Sequence, residues 1–370
     1  MISSSAVTVP TRHNSNTSSP STPPTSDDVR VTSECRVVLD NLQTNLSHAD
    51  AKKEAILEMT NLFFNEPKAK ELLTSLGVCK AVLNILKRHP EHTGVQQHGM
   101  GAMKIMFCHP KAFVQLTDLG ACELILETLN RHIEHSDLQR EGMLAIWASL
   151  DNPQIKRQLT DLGACQVVVN TLKRHLEHSG VQESVMLAMW MSSNNPRAQQ
   201  QLTKLGVCKM VLDSLRLHTQ HVEIQQQGLQ TIVVLAHNNP TAQQQLNNFG
   251  ACEVVLYAVK RHLENACIQR MGMGVMITLV QNNPKIQQQL NEFGACQVVL
   301  EGVKRHLEDD DTARVGIGAL MSISNKNPKS RQQLNELGAY KIVLEVAKRN
   351  LEDDDTQQVK EWFKRNVDIL

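Results

Sequence analysis

The sequence predicts an all-α solenoid of stacked helical repeats, and three features of the 370-residue chain support this. Each of seven copies opens with a proline and carries a glycine ten residues later. Two residues after that glycine comes a cysteine, except in the last copy, which has tyrosine. The prolines recur every 43 or 44 residues: Pro67, Pro110, Pro153, Pro196, Pro240, Pro284 and Pro328. Such a period is typical of repeats that pack on their neighbours.

The composition agrees with stacked helices. Hydrophobic residues make up 41% of the chain and aromatic residues only 3%, which suits an aliphatic core between helices better than a β-sandwich. Lysine plus arginine (38) balances aspartate plus glutamate (38), so no net field favours nucleic acid or an anionic membrane. No apolar run is long enough to span a bilayer. We expect a monomer in the cytoplasm, with the nucleus as the alternative.

The N-terminal part divides into a tail and a cap. Residues 1–31 are rich in serine, threonine, proline and asparagine, so they are predicted to form a disordered tail that buries too little apolar surface to fold. The tail could be phosphorylated at its Ser/Thr-Pro pairs, and a transit peptide is a further alternative. Residues 32–65 are predicted to form an incomplete capping repeat, because Cys35 precedes Cys79 by 44 residues. Seven repeats then occupy residues 66–370.

Each full repeat is predicted to contain three helices. In the repeat opened by Pro284, Asn283 can cap the first helix, and the proline fits the first turn. Gly294 can supply the left-handed residue that ends this helix. A second helix is expected over about residues 295–307, and a third over about residues 312–325.

One short and two longer helices, with a glycine between the first and second, resemble the armadillo repeat over about residues 33–370. The Gly-x-Cys start of the second helix is similar to the armadillo region of leucine-rich-repeat kinases, although the chain has no kinase motif. The resemblance implies a right-handed α-solenoid of armadillo-type repeats, whose third helices line a concave groove that binds a protein or peptide segment. HEAT repeats, which have two helices, are the second choice.

Helical periodicity predicts which side of each third helix faces the groove. The reference column is Gly99, Gly142, Val185, Gly228, Gly272 and Gly316. Positions +3, +4 and +7 from it are mostly apolar and are assigned to the core, whereas positions −2, +2, +5 and +9 lie opposite. The predicted partner-binding residues are Arg140, Leu144, Trp147, Asp151, Glu183, Leu187, Trp190, Asn194, Gln226 and Gln230.

Two tryptophans share the +5 column in adjacent repeats. Large aromatic side chains ringed by polar groups have the composition of a binding hot spot. The alternative is that both indoles pack between third helices as core. Nuclear-import adaptors of the armadillo class hold a basic peptide with Trp-x-x-x-Asn pairs, and this spacing occurs at Trp190/Asn194 and Trp362/Asn366. Since the repeats between these pairs lack tryptophan, recognition of a nuclear-localisation peptide is not expected.

Other repeated residues are interpreted as structural. The cysteine column lacks Cys-x-x-Cys spacing, so its members are read as buried, reduced thiols rather than metal ligands. The Gly-x-Gly pairs of the third helices are attributed to close helix packing. Four histidine pairs are interpreted as solvated helix ends: His89/His92, His132/His135, His175/His178 and His218/His221. With no catalytic constellation, no enzyme activity, cofactor or metal is expected.

The sequence therefore favours a non-enzymatic scaffold or adaptor that binds a protein segment in the groove. The alternative is a regulatory subunit or modulator of a small GTPase or kinase, acting through a broader surface. Only the alternative requires a change in the turnover of a partner enzyme.

Overall fold

The structure is a computed structural model that describes residues 25–44, 48–281, 283–350 and 361, without the side chains of residues 347–350. Within these ranges the chain forms twenty-two α-helices and one 3₁₀-helix, and it has no β-strand. The predicted all-α class is confirmed.

The helices follow the repeat. The N-terminal unit consists of α1 (Ser26–Gln43) and α2 (Ala49–Asn65). The first helices of the repeats are α3 (Pro67–Ser75), α6 (Pro110–Asp118), α9 (Pro153–Asp161), α12 (Pro196–Lys204), α15 (Pro240–Asn248), α18 (Pro284–Glu292) and α21 (Pro328–Glu336). The second helices are α4 (Val78–Arg88), α7 (Ala121–Arg131), α10 (Ala164–Arg174), α13 (Val207–Leu217), α16 (Ala251–Arg261), α19 (Ala295–Arg305) and α22 (Ala339–Asn350).

The third helices are α5 (Thr93–Phe107), α8 (Ser136–Ala148), α11 (Ser179–Ala188), α14 (Val222–Ala236), α17 (Ala266–Val280) and α20 (Asp310–Ser324). A short 3₁₀-helix, Met189–Ser192, continues α11. The third helix expected in the last repeat falls on residues outside the described ranges.

The corners between helices form as the sequence indicates. The side-chain oxygens of Asn195 and Asn239 accept hydrogen bonds from the backbone N–H groups of Ala198 and Ala242, at 3.3 and 3.2 Å. These bonds satisfy donors that a helix start leaves unpaired, and the proline that follows has no such donor to satisfy. At the other end of the first helix, Gly163 has a left-handed φ of 85°. The repeat glycines therefore mark a backbone turn that other residues adopt only with strain.

The first helix begins earlier than predicted. Helix α1 starts at Ser26, so residues 26–31 are helical and the tail boundary at residue 31 is wrong. Thr25 Oγ1 accepts from the N–H of Asp28 at 3.2 Å, and the Asp28 carboxylate accepts from the N–H of Thr25 at 3.0 Å. This reciprocal capping box, together with the buried side chain of Val31, anchors the extra turns. The rest of the predicted tail, residues 1–24, lies outside the described ranges.

The cysteine column lies in the core between repeats. Burial raises the pKa of Cys79 and Cys165 to about 11 and that of Cys122 and Cys208 to about 12. A buried thiol in apolar surroundings resists ionisation because its charged form loses solvation. The prediction that these cysteines are buried thiols is confirmed.

Thiol alkylation should follow this burial. We expect iodoacetamide near neutral pH to modify the exposed Cys108 first and the half-buried Cys267 more slowly, because the thiolate is the nucleophile. The seven buried cysteines should react only after denaturation. Peptide mass mapping over time checks this order, and rapid labelling of Cys208 in the native protein would contradict it.

A glutamine near the start of the third helices joins them to the second helices. Nε2 of Gln139 donates to the carbonyl oxygens of Leu129 and His132, at 2.7 and 3.0 Å. Those carbonyls end α7 and have no partner within the helix. The equivalent residues Gln96, Gln182, Gln225 and Gln269 make the same two bonds. This column fixes the angle between second and third helices.

The first histidine of three of the pairs links neighbouring repeats, so the interpretation as solvated helix ends is wrong for His132, His175 and His218. His132 and His218 are only 6% and 7% exposed. His132 Nε2 lies 2.7 Å from the carbonyl oxygen of Pro90, and His218 Nε2 lies 2.7 Å from that of Leu176. A carbonyl only accepts, so Nε2 carries the proton in each bond. His175, His262 and His306 make the equivalent bond.

Candidate functional site

The third helices form the inner row of the stack. Successive third helices pack against one another more extensively than successive first or second helices do. A stack in which one row is packed more tightly curves toward that row, since each repeat rotates slightly relative to the last. The concave side is therefore expected along the third helices.

The predicted division of these helices into core and groove faces agrees with their burial. In α8 the +3 and +4 positions, Ala145 and Ile146, are buried, and so is the +7 position, Ser149, directly after the helix. By contrast, the indoles of Trp147 and Trp190 are 44% and 38% exposed. Both tryptophans therefore lie on the open face and not in the core between third helices.

The two indoles flank a pocket of about 250 Å³ between α8, α11 with its 3₁₀-helix, and α14. Leu187 and Gln230 of the predicted set also line it. The sequence analysis missed the other lining residues, Met186, Met189, Gln227, Thr231 and Val234. They lie on the flanks where neighbouring helices meet, whereas periodicity was used to find the outward face of one helix at a time.

Asp151 and Asn194 are not on a third helix, so their placement at the +9 position of its groove face is wrong. Helix α8 ends at Ala148, and Asn194 lies in a turn with a left-handed φ of 53°. The N–H groups of Ser149 and Ser193 bond carbonyls only three residues back, at 3.0 and 2.9 Å. These bonds have the shorter 3₁₀ spacing, and the helical segment ends with them. Both residues are exposed in the turns that lead to the next first helix.

The ammonium group of Lys156 contacts the ring of Trp190. Lys156 Nζ lies 5.6 Å from its centroid, within the range of a cation–π contact. Burial lowers the pKa of Lys156, while the charge of Asp151 opposes that shift. Since one face of the indole carries the ammonium, the rest of the ring remains available to the pocket.

Charged side chains lie nearer the N-terminal ends of the third helices that carry the pocket. The Glu141 carboxylate, whose side chain is 12% exposed, lies 2.7 Å from Lys104 Nζ and 2.8 Å from Arg140 Nη2. One repeat on, burial raises the pKa of Glu183, the nearby charge of Glu223 adds to this shift, and Arg140 opposes it. Within the described residues Glu183 has no ion pair. A half-buried carboxylate therefore lies one helical turn before Leu187.

The remaining predicted residues have mixed environments. Leu144 is half-buried beside this face. The amide of Gln226 donates to Asn265 Oδ1 at 3.3 Å, which links α14 to the start of α17. Gln226 is therefore partly occupied by a contact within the stack.

The described residues contain no group of three or more His, Cys, Asp or Glu side chains that could hold a metal ion. No helix in this part of the chain combines the length and apolar character needed to cross a membrane.

No family model and no curated protein matches the chain, whereas solved structures do. An engineered protein from a structural genomics consortium superposes with a TM-score of 0.75 at 15% identity, covering 90% of this chain and 78% of that one. A structure from work on a phosphorylation switch in the interaction between cadherin and beta-catenin gives 0.74 at 15% identity, covering 92% and 62%. A designed armadillo repeat protein in complex with the peptide (KR)4 gives 0.50 at 15% identity, covering 78% and 99%. The fold is a right-handed α-solenoid of armadillo-type repeats.

Proposed function

We propose that this protein is a non-enzymatic scaffold that binds an extended segment of a partner protein in the concave groove. The observation that carries the proposal is the open pocket between Trp147 and Trp190, two large indoles exposed on adjacent repeats. Clustered exposed tryptophans with a polar surround are the composition of interface hot spots. The designed armadillo protein with a bound peptide supports the same use of the fold.

The surroundings of the pocket favour a particular kind of segment. The apolar wall formed by the indoles and Leu187 accepts a large apolar side chain of the ligand. The amides of Gln227 and Gln230 lie beside it, where they offer donors and acceptors to a peptide backbone. The half-buried Glu183 favours a ligand cation nearby, because pairing offsets the cost of its burial.

The Trp147→Ala/Trp190→Ala variant is expected to lose the groove ligand while keeping its fold. A hot-spot tryptophan contributes about 2 kcal/mol or more, so the double change should weaken binding by at least about 30-fold. The measurement is affinity enrichment from a cell extract, followed by titration of the partners it identifies, with helical circular dichroism matched to the wild type.

A control variant, Leu162→Ala/Phe293→Ala, removes apolar side chains of similar exposure, each 40%, from the ends of first helices. It should retain the partners that the tryptophan variant loses. If the tryptophan variant retained every partner of the wild type at unchanged affinity, the indoles would be packing residues and the proposal would fail.

A further inference from the structure

A second hollow lies outside the groove, where α10 and α13 meet the corner between α12 and α13. Its volume is about 470 Å³ and its wall is largely apolar. Leu176, Met210 and Phe249 line it and remain partly exposed. None of the residues that line it belongs to a third helix. Because Lys173, Lys204 and Lys209 surround it, we call it the lysine-rimmed hollow.

Positive charge around this hollow is not balanced. The one carboxylate in its wall, Asp213, is already engaged, because Lys209 Nζ lies 2.5 Å from Oδ2 and Arg216 Nη1 lies 3.2 Å from Oδ1. Among the residues that the structure describes, Lys173 and Lys204 form neither an ion pair nor a hydrogen bond. An apolar cavity rimmed by unpaired cations is complementary to an anionic ligand that also carries an apolar group.

A second cavity lies beside the hollow in the next repeat. Its volume is about 490 Å³, and it is lined by Leu215, Arg216, Thr219, Glu253, Val254 and Tyr257, of which Tyr257 is 51% exposed. Arg216 of this second cavity contacts the wall of the hollow, since it pairs with Asp213 and also donates to the carbonyl of Phe249. Partly apolar surface therefore extends from the hollow into the next repeat, a length that suits a polypeptide better than a small anion, whereas the carboxylate of Glu253 confines the cationic rim to the hollow itself.

We propose that the lysine-rimmed hollow binds an acidic segment of a partner protein. One large apolar side chain of that segment occupies the hollow, and its carboxylates pair with Lys173 and Lys204. The two lysines come from different helices, α10 and α12, so they engage acidic residues on both sides of the apolar anchor. This site is separate from the groove and leaves the tryptophan pocket free for its own ligand.

The test uses the full chain and a fluorescein-labelled peptide in which one phenylalanine is flanked by three acidic residues on each side. Fluorescence anisotropy measures its affinity for the wild type and for the Lys173→Glu/Lys204→Glu variant. We expect the variant to bind at least about tenfold more weakly. Raising the salt from about 50 mM to about 300 mM should also weaken wild-type binding, since the lysines are exposed.

Matched controls separate this site from the groove and from general charge attraction. The Lys285→Glu/Lys329→Glu variant changes the net charge equally at exposed first-helix positions, and it should bind within about twofold of the wild type. The Trp147→Ala/Trp190→Ala variant should also bind normally, even if the groove proposal fails. The proposal is overturned if the peptide does not bind, if the two lysine variants bind alike, or if alanine in place of the peptide's phenylalanine leaves its affinity unchanged.

Discussion

Replacing Gln139 by alanine is expected to lower the free energy of unfolding by about 3 kcal/mol or more. The amide is fully buried, and it satisfies the carbonyls of Leu129 and His132 at the end of α7. Its Oε1 also accepts from Thr171 Oγ1 of the next repeat, at 2.7 Å. Alanine leaves the Leu129 carbonyl without this partner and opens a cavity, while His132 O keeps its bond from the N–H of His135 and Thr171 Oγ1 keeps its bond to the carbonyl of Val167. Urea denaturation followed by circular dichroism measures the loss.

The control for this prediction is Gln166→Ala in the neighbouring repeat. Gln166 is exposed on α10, and its amide donates to Asn170 Oδ1 at 2.8 Å. Its replacement should change the stability by no more than about 0.5 kcal/mol. A similar small loss for Gln139→Ala would mean that water replaces the buried amide, and the column would not be the joint between helices.

Alanine at Gly272 and alanine at Gly274 are expected to change the free energy of unfolding in opposite directions. A Cβ on Gly272 would lie 2.2 Å from Val259 Cγ2 of α16, and a valine in a helix has one strongly preferred rotamer. Helix α17 must therefore shift, at a cost of about 1–3 kcal/mol. A Cβ on Gly274 would meet no atom within 4 Å, so alanine there should stabilise the helix by up to about 1 kcal/mol.

Thermal or urea unfolding of Gly272→Ala and Gly274→Ala, measured side by side, checks this pair, and each variant serves as the control for the other. If both variants changed the free energy of unfolding in the same direction, local helix propensity and not contact with α16 would determine the effect of alanine at these two positions. The attribution of the Gly-x-Gly pairs to close packing fits only their first members. A Cβ on Gly101 or Gly318 would find its nearest neighbour at 3.5 Å, which is ordinary contact.

The sequence alone predicted the helices and the faces of the third helices. Pro284 and Gly294 place the bounds of α18 within a residue or two, because both act on the backbone next to them. Likewise, the position of Trp147 on the helical period favoured the open face over the core, and its side chain is exposed. These features are local, since capping, the left-handed turn and helical facing depend on residues within a few positions.

Only the tertiary structure decided what joins the repeats and where the cavities lie. His132 bonds a carbonyl 42 residues away, and nothing near it in the chain marks that partner. The tryptophan pocket and the lysine-rimmed hollow lie between helices, so their walls combine residues that no single helical period relates. The repeat period shows only that equivalent residues have similar surroundings in each repeat. The distance and angle between stacked helices, set by side-chain packing and by the buried glutamine column, determine which residues share a surface.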